Sequence, residues 1–269
     1  MMILFFIFGL FLGSLLNTIA LRLETKERII FSRSHCPKCG KILNWYELIP
    51  IVSFIIQKGK CRSCQTKIDL RYPLIEIVTG LFCLILAISL KTKFNLISLI
   101  EYVYYLVPLS ILFIEALYDL KTYYIDNRLL LIMGLWFAPF YFLRFKYPFL
   151  FQREFSYLFN YFFNFNDIFI PFISAFLGFF FIFLIYLITF KKGIGIGDAF
   201  IIGILGLYFK PGDLLLILIL SSFWGSIIGF FLKFVKNKRM LPFVPFIFIG
   251  TLSLLIFGKL LTFWYFTKF

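Results

Sequence analysis

Long apolar runs alternate with short polar stretches along almost the whole chain. Eight runs are candidate membrane-spanning helices, because roughly 20 apolar residues cross a bilayer as a helix. They cover approximately residues 2–21, 74–90, 97–118, 129–143, 168–190, 199–209, 214–235 and 241–265. The fourth and sixth runs are short, so either could be tilted, broken or extended into its flanks. The pattern predicts an all-α polytopic membrane protein with about eight transmembrane helices.

The composition agrees with this pattern. Of the 269 residues, 62% are hydrophobic and 41 are Phe, whereas soluble domains contain roughly 45–50% apolar residues. The net charge of +14 would suggest nucleic acid as the partner of a soluble protein. Here the bases lie in short stretches between apolar runs, as topology signals do. We therefore expect a lipid bilayer around the chain and no nucleic-acid partner.

The ends of the first run bear on whether it is retained. It lacks a basic leader before it and a small-residue cleavage site after it. These features favour a retained helix over a signal peptide. The chain is accordingly divided into a first transmembrane helix, a cytoplasmic insertion and a multi-helix membrane domain, over residues 1–23, 24–72 and 73–269.

One substantial polar segment separates the first two runs. From Arg22 to Tyr72 it contains eleven bases and four acids, so the positive-inside rule places it in the cytoplasm. Counting crossings then puts the N-terminus outside. It also predicts that the 119–128 loop, the 191–197 stretch and the bases of 236–239 are cytoplasmic, and that the 144–167 loop is outside.

Four of the five cysteines form two C-x-x-C knuckles in this segment. They are Cys36 with Cys39 and Cys61 with Cys64. Two such pairs indicate a structural zinc ion, because four thiolates leave no open position for catalysis. Two disulfides are the alternative, but they are rare in a reducing compartment. His35, the single histidine, is interpreted as a neighbour of this site, with ligation as a lesser alternative.

An unusual polar stretch follows the fifth run. Gly193, Gly195 and Gly197 alternate with isoleucines and lead into Asp198. The missing side chains would let another chain approach this carboxylate closely, and an ionisable residue beside an apolar span suggests function. A flexible turn with a helix-capping aspartate is the other interpretation.

A second carboxylate, Asp119, is predicted on the same face of the membrane. Two carboxylates that share a site cannot easily both ionise, so one can accept a proton from water while the other donates one. Such a pair would support aspartyl chemistry. By position alone, Glu115 is as good a partner for Asp198 as Asp119, since it lies one helical turn away.

The chain resembles a known family, the type IV prepilin peptidases, which are polytopic aspartic proteases of the Gly-x-Gly-Asp type. The resemblance covers most of the chain. It is found at residues 8–9, 13–17, 22, 34–39, 45–50, 59–64, 71–76, 119 and 193–198.

The resemblance implies that Asp119 and Asp198 are the catalytic pair. Family members remove the short basic leader from prepilins or pseudopilins after a glycine, on the cytoplasmic side of the bacterial inner membrane. Many then methylate the new N-terminus with S-adenosylmethionine, and the resemblance implicates Gly59 and Lys60 in that transfer. Two departures are Phe200, where the family often has lysine, and Asp126, where it often has proline.

A protein of another class is the competing hypothesis. A small membrane transporter, or an assembly subunit of a pilus or secretion machine, could also contain intramembrane carboxylates. A transport path would have polar groups distributed across the depth of the bilayer. The acids of this chain are few and lie near the ends of the runs, which favours the peptidase.

Overall fold

The structure is a computed structural model that describes residues 2–25, 33–93, 95–146, 169–190, 194–236 and 241–268. Several of the sequence predictions concern residues outside these ranges. They are part of the insertion at 26–32, most of the predicted outer loop at 147–168, the stretch 191–193, which includes Gly193, and the bases at 237–239.

The described residues form α-helices, one 3-10 turn at Trp45–Leu48 and non-helical stretches between them. The helices are α1 (Met2–Thr25), α2 (Val52–Ile56), α3 (Arg71–Ser89), α4 (Leu96–Thr122), α5 (Asn127–Lys146), α6 (Ile170–Ile188), α7 (Ile196–Gly206), α8 (Pro211–Lys236) and α9 (Val244–Lys268). Each apolar run of the sequence lies mainly on one of them. The prediction of an all-α protein is therefore confirmed.

Five helices in the described part of the chain are long and apolar enough to cross a membrane. These are α1, α3, α4, α6 and α8. The remaining apolar helices contain shorter stretches, at Asn127–Leu143 in α5, Ile196–Gly206 in α7 and Val244–Gly258 in α9. The chain is therefore a multi-pass membrane protein by the length and composition of its helices.

The chain divides into two compact units, Met1–Lys91 and Thr92–Phe269. In the first unit, α1 packs along α3. A Cβ atom added to Gly9 would lie 2.7 Å from the Cα atom of Gly80, so the two backbones touch at this crossing. Small residues permit such close approach between membrane helices. The cysteine-containing insertion connects these two helices.

The second unit is built around α4, which packs on α5 and α9, and around α7, which packs on α5, α6 and α8. Fully buried aliphatic side chains such as Leu112, Ile202 and Ile247 form its core. Asn95 caps the start of α4 by accepting a hydrogen bond from the backbone N–H of Ser98 (2.8 Å). At the other end the chain leaves α4 through Tyr123, which has a left-handed φ of 59°.

Candidate active site and metal centre

The two cysteine knuckles fold into similar tight turns. In the first, the N–H of Cys36 donates to the carbonyl oxygen of Lys41, and His35 forms a β-bridge with Ile42. In the second, the N–H of Cys61 donates to Thr66, and the flanking residues Lys60 and Lys67 form the corresponding bridge. Each turn therefore presents two thiols on one side.

The two turns bring the four thiols together. The Sγ atoms of Cys36, Cys39, Cys61 and Cys64 all lie within 4.8 Å of one another, and all of these cysteines are free. The Sγ atoms of Cys36 and Cys64 are 3.8 Å apart. A tetrahedral ion with Zn–S distances of about 2.3 Å separates its sulfur ligands by about 3.8 Å. The cysteine cluster therefore fits a metal ion of this geometry.

The surroundings favour the thiolate form at two of the four cysteines. The hydroxyl of Thr66, 3.1 Å from the Cys64 sulfur, lowers the pKa of that thiol to about 6. Backbone N–H groups of Cys39 and Lys38 lower the pKa of Cys36. At Cys39 the backbone N–H of Lys41 lowers the pKa of the thiol, but desolvation and the neighbouring thiols outweigh it and raise that pKa to about 11. The imidazole Nδ1 of His35 lies 3.3 Å from the carbonyl oxygen of Arg33, so this ring nitrogen has a backbone partner beside the cluster.

Other residues in the stretches that carry the family resemblance fix the insertion in place. The guanidinium of Arg62, in the second knuckle, lies over the ring of Tyr46 at 5.0 Å. Glu76 on α3 accepts a hydrogen bond from the N–H of Ile51 (2.8 Å). Gly59 has a φ of +65°, and a Cβ atom there would lie 3.1 Å from the ring of Phe54. The segment before the second knuckle is thus fixed by a helix contact and by a glycine-dependent turn.

Asp119 lies in the last turn of α4 and is buried, with 5% of its surface exposed. Its Oδ2 atom accepts a hydrogen bond from the N–H of Val244 (3.2 Å), the first residue of α9. The first N–H groups of a helix have no partner within that helix. The start of α9 therefore supplies a donor for this carboxylate.

Asp198 is the third residue of α7 and is also buried, with 7% exposed. Its Oδ2 atom accepts a hydrogen bond from the N–H of Gly195 (3.0 Å). Asp198 therefore stabilises the first turn of α7 from the third helical position, with Gly195 rather than the aspartate as the N-cap residue. A capping role does not exclude a chemical one, because a carboxylate has further acceptor sites.

The charge of Asp119 acts on the carboxyl group of Asp198, so the two side chains lie within electrostatic reach of each other. The connection after α4 reaches the same place, since a Cβ atom on Gly197 would lie 2.5 Å from the Cδ1 atom of Ile125. Gly195, by contrast, is exposed and has nothing nearer to a Cβ atom than the Asp198 carboxylate at 3.3 Å.

Glu115, the positional rival of Asp119, is fully buried in α4. Its Oε2 atom accepts a hydrogen bond from the N–H of Asp126 (3.2 Å), beside the start of α5. Its charge would also act on Asp119, one turn further along the helix. The site thus contains a third acidic side chain, which faces the α4–α5 connection.

The two departures from the family pattern have partners of their own. The ring of Phe200 is half exposed and packs on Phe179 of α6, with 5.2 Å between centroids. The carboxylate of Asp126 pairs with Arg128 at 2.6 Å, and this guanidinium holds the pKa of the Asp126 carboxyl below its usual range. Neither residue takes the place of Asp119 or Asp198.

Sequence analysis missed the backbone donor at Val244 and the contact between Ile125 and Gly197. Both connect residues far apart in the chain, so no local pattern reports them. Pro242 and Pro245 gave an indirect signal, because proline is common at the start of a helix, where backbone N–H groups are free.

Comparisons with known proteins agree on one family. The family model of the bacterial peptidase A24 N-terminal domain matches residues 7–90, and the model of the type IV leader peptidase family matches residues 106–230. No solved structure matches the chain significantly.

Three relatives have the same printed name, prepilin leader peptidase/N-methyltransferase. The protein of Bacillus subtilis (strain 168) is 32% identical over 262 residues, which cover 96% of this chain and 95% of the relative. That of Aeromonas hydrophila is 27% identical, covering 98% and 93%. That of Myxococcus xanthus (strain DK1622) is 38% identical over 105 residues, covering 39% of this chain and 31% of the relative. Taken together with the two matched regions, the near full-length similarity shows that this chain belongs to the type IV leader peptidase family.

Proposed function

We propose that the chain is a membrane aspartic endopeptidase that removes the basic leader from type IV prepilins or pseudopilins and then methylates the new N-terminus. The peptidase and methyltransferase names of the relatives support both activities. The observation that carries the peptidase assignment is the pairing of Asp119 and Asp198. Both are buried, each accepts a backbone hydrogen bond near the start of a helix, and they lie within electrostatic reach.

The proposed mechanism uses one ionised and one protonated carboxyl group. Like charges that share a site favour this arrangement. The ionised aspartate takes a proton from a water molecule as the water oxygen attacks the scissile carbonyl carbon. The protonated aspartate donates its proton to the carbonyl oxygen. The aspartate that took the water proton then gives it to the amine nitrogen as the C–N bond breaks, and the hydroxyl formed from the carbonyl returns its proton to the other aspartate. The N–H groups of Val244 and Gly195 hold the two carboxyl groups in place throughout.

The glycine stretch before Asp198 is proposed as the place where the substrate approaches. Gly195 is exposed and extended, with φ of −75° and ψ of 150°. Any residue adopts this conformation, so the backbone does not require glycine here. What glycine provides is open space beside the Asp198 carboxylate. Gly197 instead provides room for Ile125. Gly193, which lies outside the described residues, is proposed to belong to the same substrate-approach stretch.

The cysteine cluster is proposed to hold one structural zinc ion. Four thiols with the right separations would complete a tetrahedral site and supply folding energy to the insertion. Because all four positions would be filled by protein, the ion is assigned no part in catalysis.

Gly59 and Lys60 are proposed to belong to the methyl-transfer site. S-adenosylmethionine would supply the methyl group when bound. Next to the glycine lie the aromatic ring of Phe54 and the exposed side chain of Lys60. An aromatic face and a cation suit the adenine ring and the carboxylate of such a donor. In this proposal the chain's own residues bind and orient the donor beside the free amine.

The proposed topology has eight crossings of the bacterial inner membrane, with α5, α7 and α9 completing the set of five longer spans. The N-terminus is outside, and the insertion and the dyad face the cytoplasm. The bases of the insertion support this orientation through the positive-inside rule.

Co-expression with a candidate prepilin tests the proposed function. The mature pilin should lack its leader, and its N-terminal residue should be heavier by one methyl group in mass spectrometry. An intact leader in the presence of the folded, membrane-inserted chain would contradict the peptidase assignment. A trimmed but unmethylated N-terminus, with ample S-adenosylmethionine, would contradict only the methyltransferase assignment.

A further inference from the structure

Glu115 is a fully buried acidic residue that the proposed mechanism does not use. One carboxylate oxygen, Oε2, accepts the hydrogen bond from the N–H of Asp126 (3.2 Å), and Oε1 has no hydrogen-bond partner among the described residues. The side chain has no exposed surface, and the proposed mechanism gives it no contact with substrate. Burying a carboxyl group without full hydrogen bonding costs free energy, so the position calls for an explanation.

The residue that Glu115 holds is a junction between helices. The carbonyl oxygen of Asp126 accepts from the N–H of Leu129 (3.1 Å), and its carboxylate accepts from the N–H and the guanidinium of Arg128. Asp126 thus caps the first turn of α5 while its own N–H is held by α4. The backbone at this point is fixed from both helices.

The residue before this junction contacts the site. Ile125 packs on Gly197 so closely that a Cβ atom on the glycine would lie 2.5 Å from the isoleucine Cδ1 and 3.4 Å from its Cβ. Gly197 precedes Asp198 in the first turn of α7. A shift of the α4–α5 connection would therefore move the turn that carries Asp198.

We infer that Glu115 is a positioning residue: by holding the Asp126 N–H it fixes the α4–α5 connection, and through Ile125 it sets where Asp198 lies relative to Asp119. This inference rests on the proposed function of the two aspartates. Glu115 and Asp119 are one turn apart on α4, so a single rigid helix carries both one catalytic group and the anchor for the other. The bond also needs residue 126 to have an N–H, which a proline lacks.

Cleavage kinetics of the full-length protein in membranes test this inference with four changes. Glu115→Gln keeps an oxygen that accepts the N–H bond, and we expect kcat within about threefold of wild type, because only a fraction of the roughly 1 kcal/mol of one hydrogen bond is at stake. Glu115→Leu removes the acceptor, and kcat should fall by about 10–100-fold, the range that a misplacement approaching 1 Å produces. KM should change by less than about twofold, because uniform binding is untouched.

The donor side provides a matched pair. Asp126→Pro removes the N–H and leaves Glu115 without its partner, so kcat should fall as in Glu115→Leu. Asp126→Ala loses the cap and the pair with Arg128 but keeps the N–H held by Glu115, and its kcat should fall much less than that of Asp126→Pro. In the double variant Glu115→Leu/Asp126→Pro both partners are gone, and the loss should be no greater than in either single variant.

Two further variants keep the result interpretable. Ser110→Ala changes another buried polar side chain of α4, whose Oγ has no hydrogen-bond partner among the described residues, and should leave kcat unchanged. If Glu115→Leu does not fold, Ile125→Ala decides, since it removes the contact with Gly197 and should lower kcat about tenfold, toward the lower part of the range for misplaced groups.

The outcomes separate this inference from the proposed function. Wild-type kcat in Glu115→Leu would overturn the positioning role, and Ile125→Ala is used instead if Glu115→Leu does not fold. An inactive Asp119→Asn in the same experiment would still support the proposed function of the two aspartates. A Glu115→Gln variant as inactive as Asp119→Asn would also overturn the positioning role, because the carboxyl itself would then be needed. Wild-type activity in either folded Asp119→Asn or folded Asp198→Asn would instead overturn the proposed function.

Discussion

Gly59 and Gly40 share a backbone conformation but differ in their surroundings. Their φ angles are +65° and +68°, in the region that favours glycine. A Cβ atom at Gly59 would press on the ring of Phe54 at 3.1 Å, whereas one at Gly40 would meet nothing within 4 Å. Alanine substitutions at these two glycines therefore share the strain of a left-handed backbone, and only the one at Gly59 also disturbs a neighbouring side chain.

We predict that Gly59→Ala lowers methyl transfer by at least about tenfold and leaves leader cleavage near wild type. Displacing groups that orient a reactant by about 1 Å costs roughly 10²-fold, and Gly59 and the dyad belong to different units. Gly40→Ala carries the same left-handed backbone cost, about 1–2 kcal/mol, and should keep both activities. Single-turnover assays of cleavage and methylation on one prepilin measure both. Equal loss of methylation in the two variants would remove Gly59 from the methyl-transfer site.

The sequence predicts Asp119 and Asp198 as candidates from their place at the ends of apolar runs and from the family resemblance. It predicts the four cysteines from their spacing, and the structure brings these four thiols together. The N–H of Val244 could not be predicted, because it lies 125 positions from Asp119 in the chain. The role of Gly197 was likewise hidden, since it depends on Ile125 from another connection.

Among the helices, α6 and α7 cross with their backbones in contact. A Cβ atom on Gly206 would lie 2.6 Å from the Cα and N atoms of Ala175. Backbone atoms cannot rotate away as side-chain ends can. The closeness of this crossing therefore depends on a glycine at position 206.

We predict that Gly206→Ala destabilises the protein by about 1–3 kcal/mol, the usual cost of overpacking. Gly134→Ala is the matched control: it lies in α5 with nothing within 4 Å of the added atom, and alanine favours a helix over glycine by about 1 kcal/mol. Unfolding in mixed detergent micelles measures both. A Gly206→Ala protein as stable as Gly134→Ala would show that the two helices do not meet as described.

The helices were predicted more reliably than their ends. Apolar runs reveal a helix because the bilayer demands internally satisfied backbone groups. The shift of α7 from the predicted 199–209 to Ile196–Gly206 has a physical cause. Asp198 stabilises the first turn from within it by accepting the N–H of Gly195, so the helix starts inside the glycine stretch. The short helix α2 and the 3-10 turn were not predicted, because neither has a long apolar run.

For the whole molecule, the cysteine cluster and the dyad lie in separate compact units. The cluster brings together two turns that lie 25 residues apart in the chain, at Cys36 and Cys61. We expect the metal to hold the insertion together and to have no direct part in cleavage.

Purified protein should therefore contain about one zinc ion per chain, as one tetrahedral thiolate site requires. The double variant Cys36→Ser/Cys61→Ser should contain none, because serine oxygens replace half of the ligands. Cys83→Ser, which changes a buried cysteine outside the cluster, should keep its zinc. Elemental analysis of the three proteins decides, and unchanged zinc in the double variant would rule out this site.

The central claim is that Asp119 and Asp198 act together in peptide cleavage. Asparagine keeps the size of each side chain and an oxygen for the N–H of Val244 or Gly195, but it cannot exchange the proton. The direct measurement is the rate of prepilin cleavage by Asp119→Asn, Asp198→Asn and the double variant, with Ser110→Ala as the folded control. Each single change should cost about 10²–10⁴-fold in rate, and the double should be little slower, because members of one catalytic unit are not additive. A folded single variant that cleaves at the wild-type rate, or two losses that multiply in the double variant, would contradict a shared dyad.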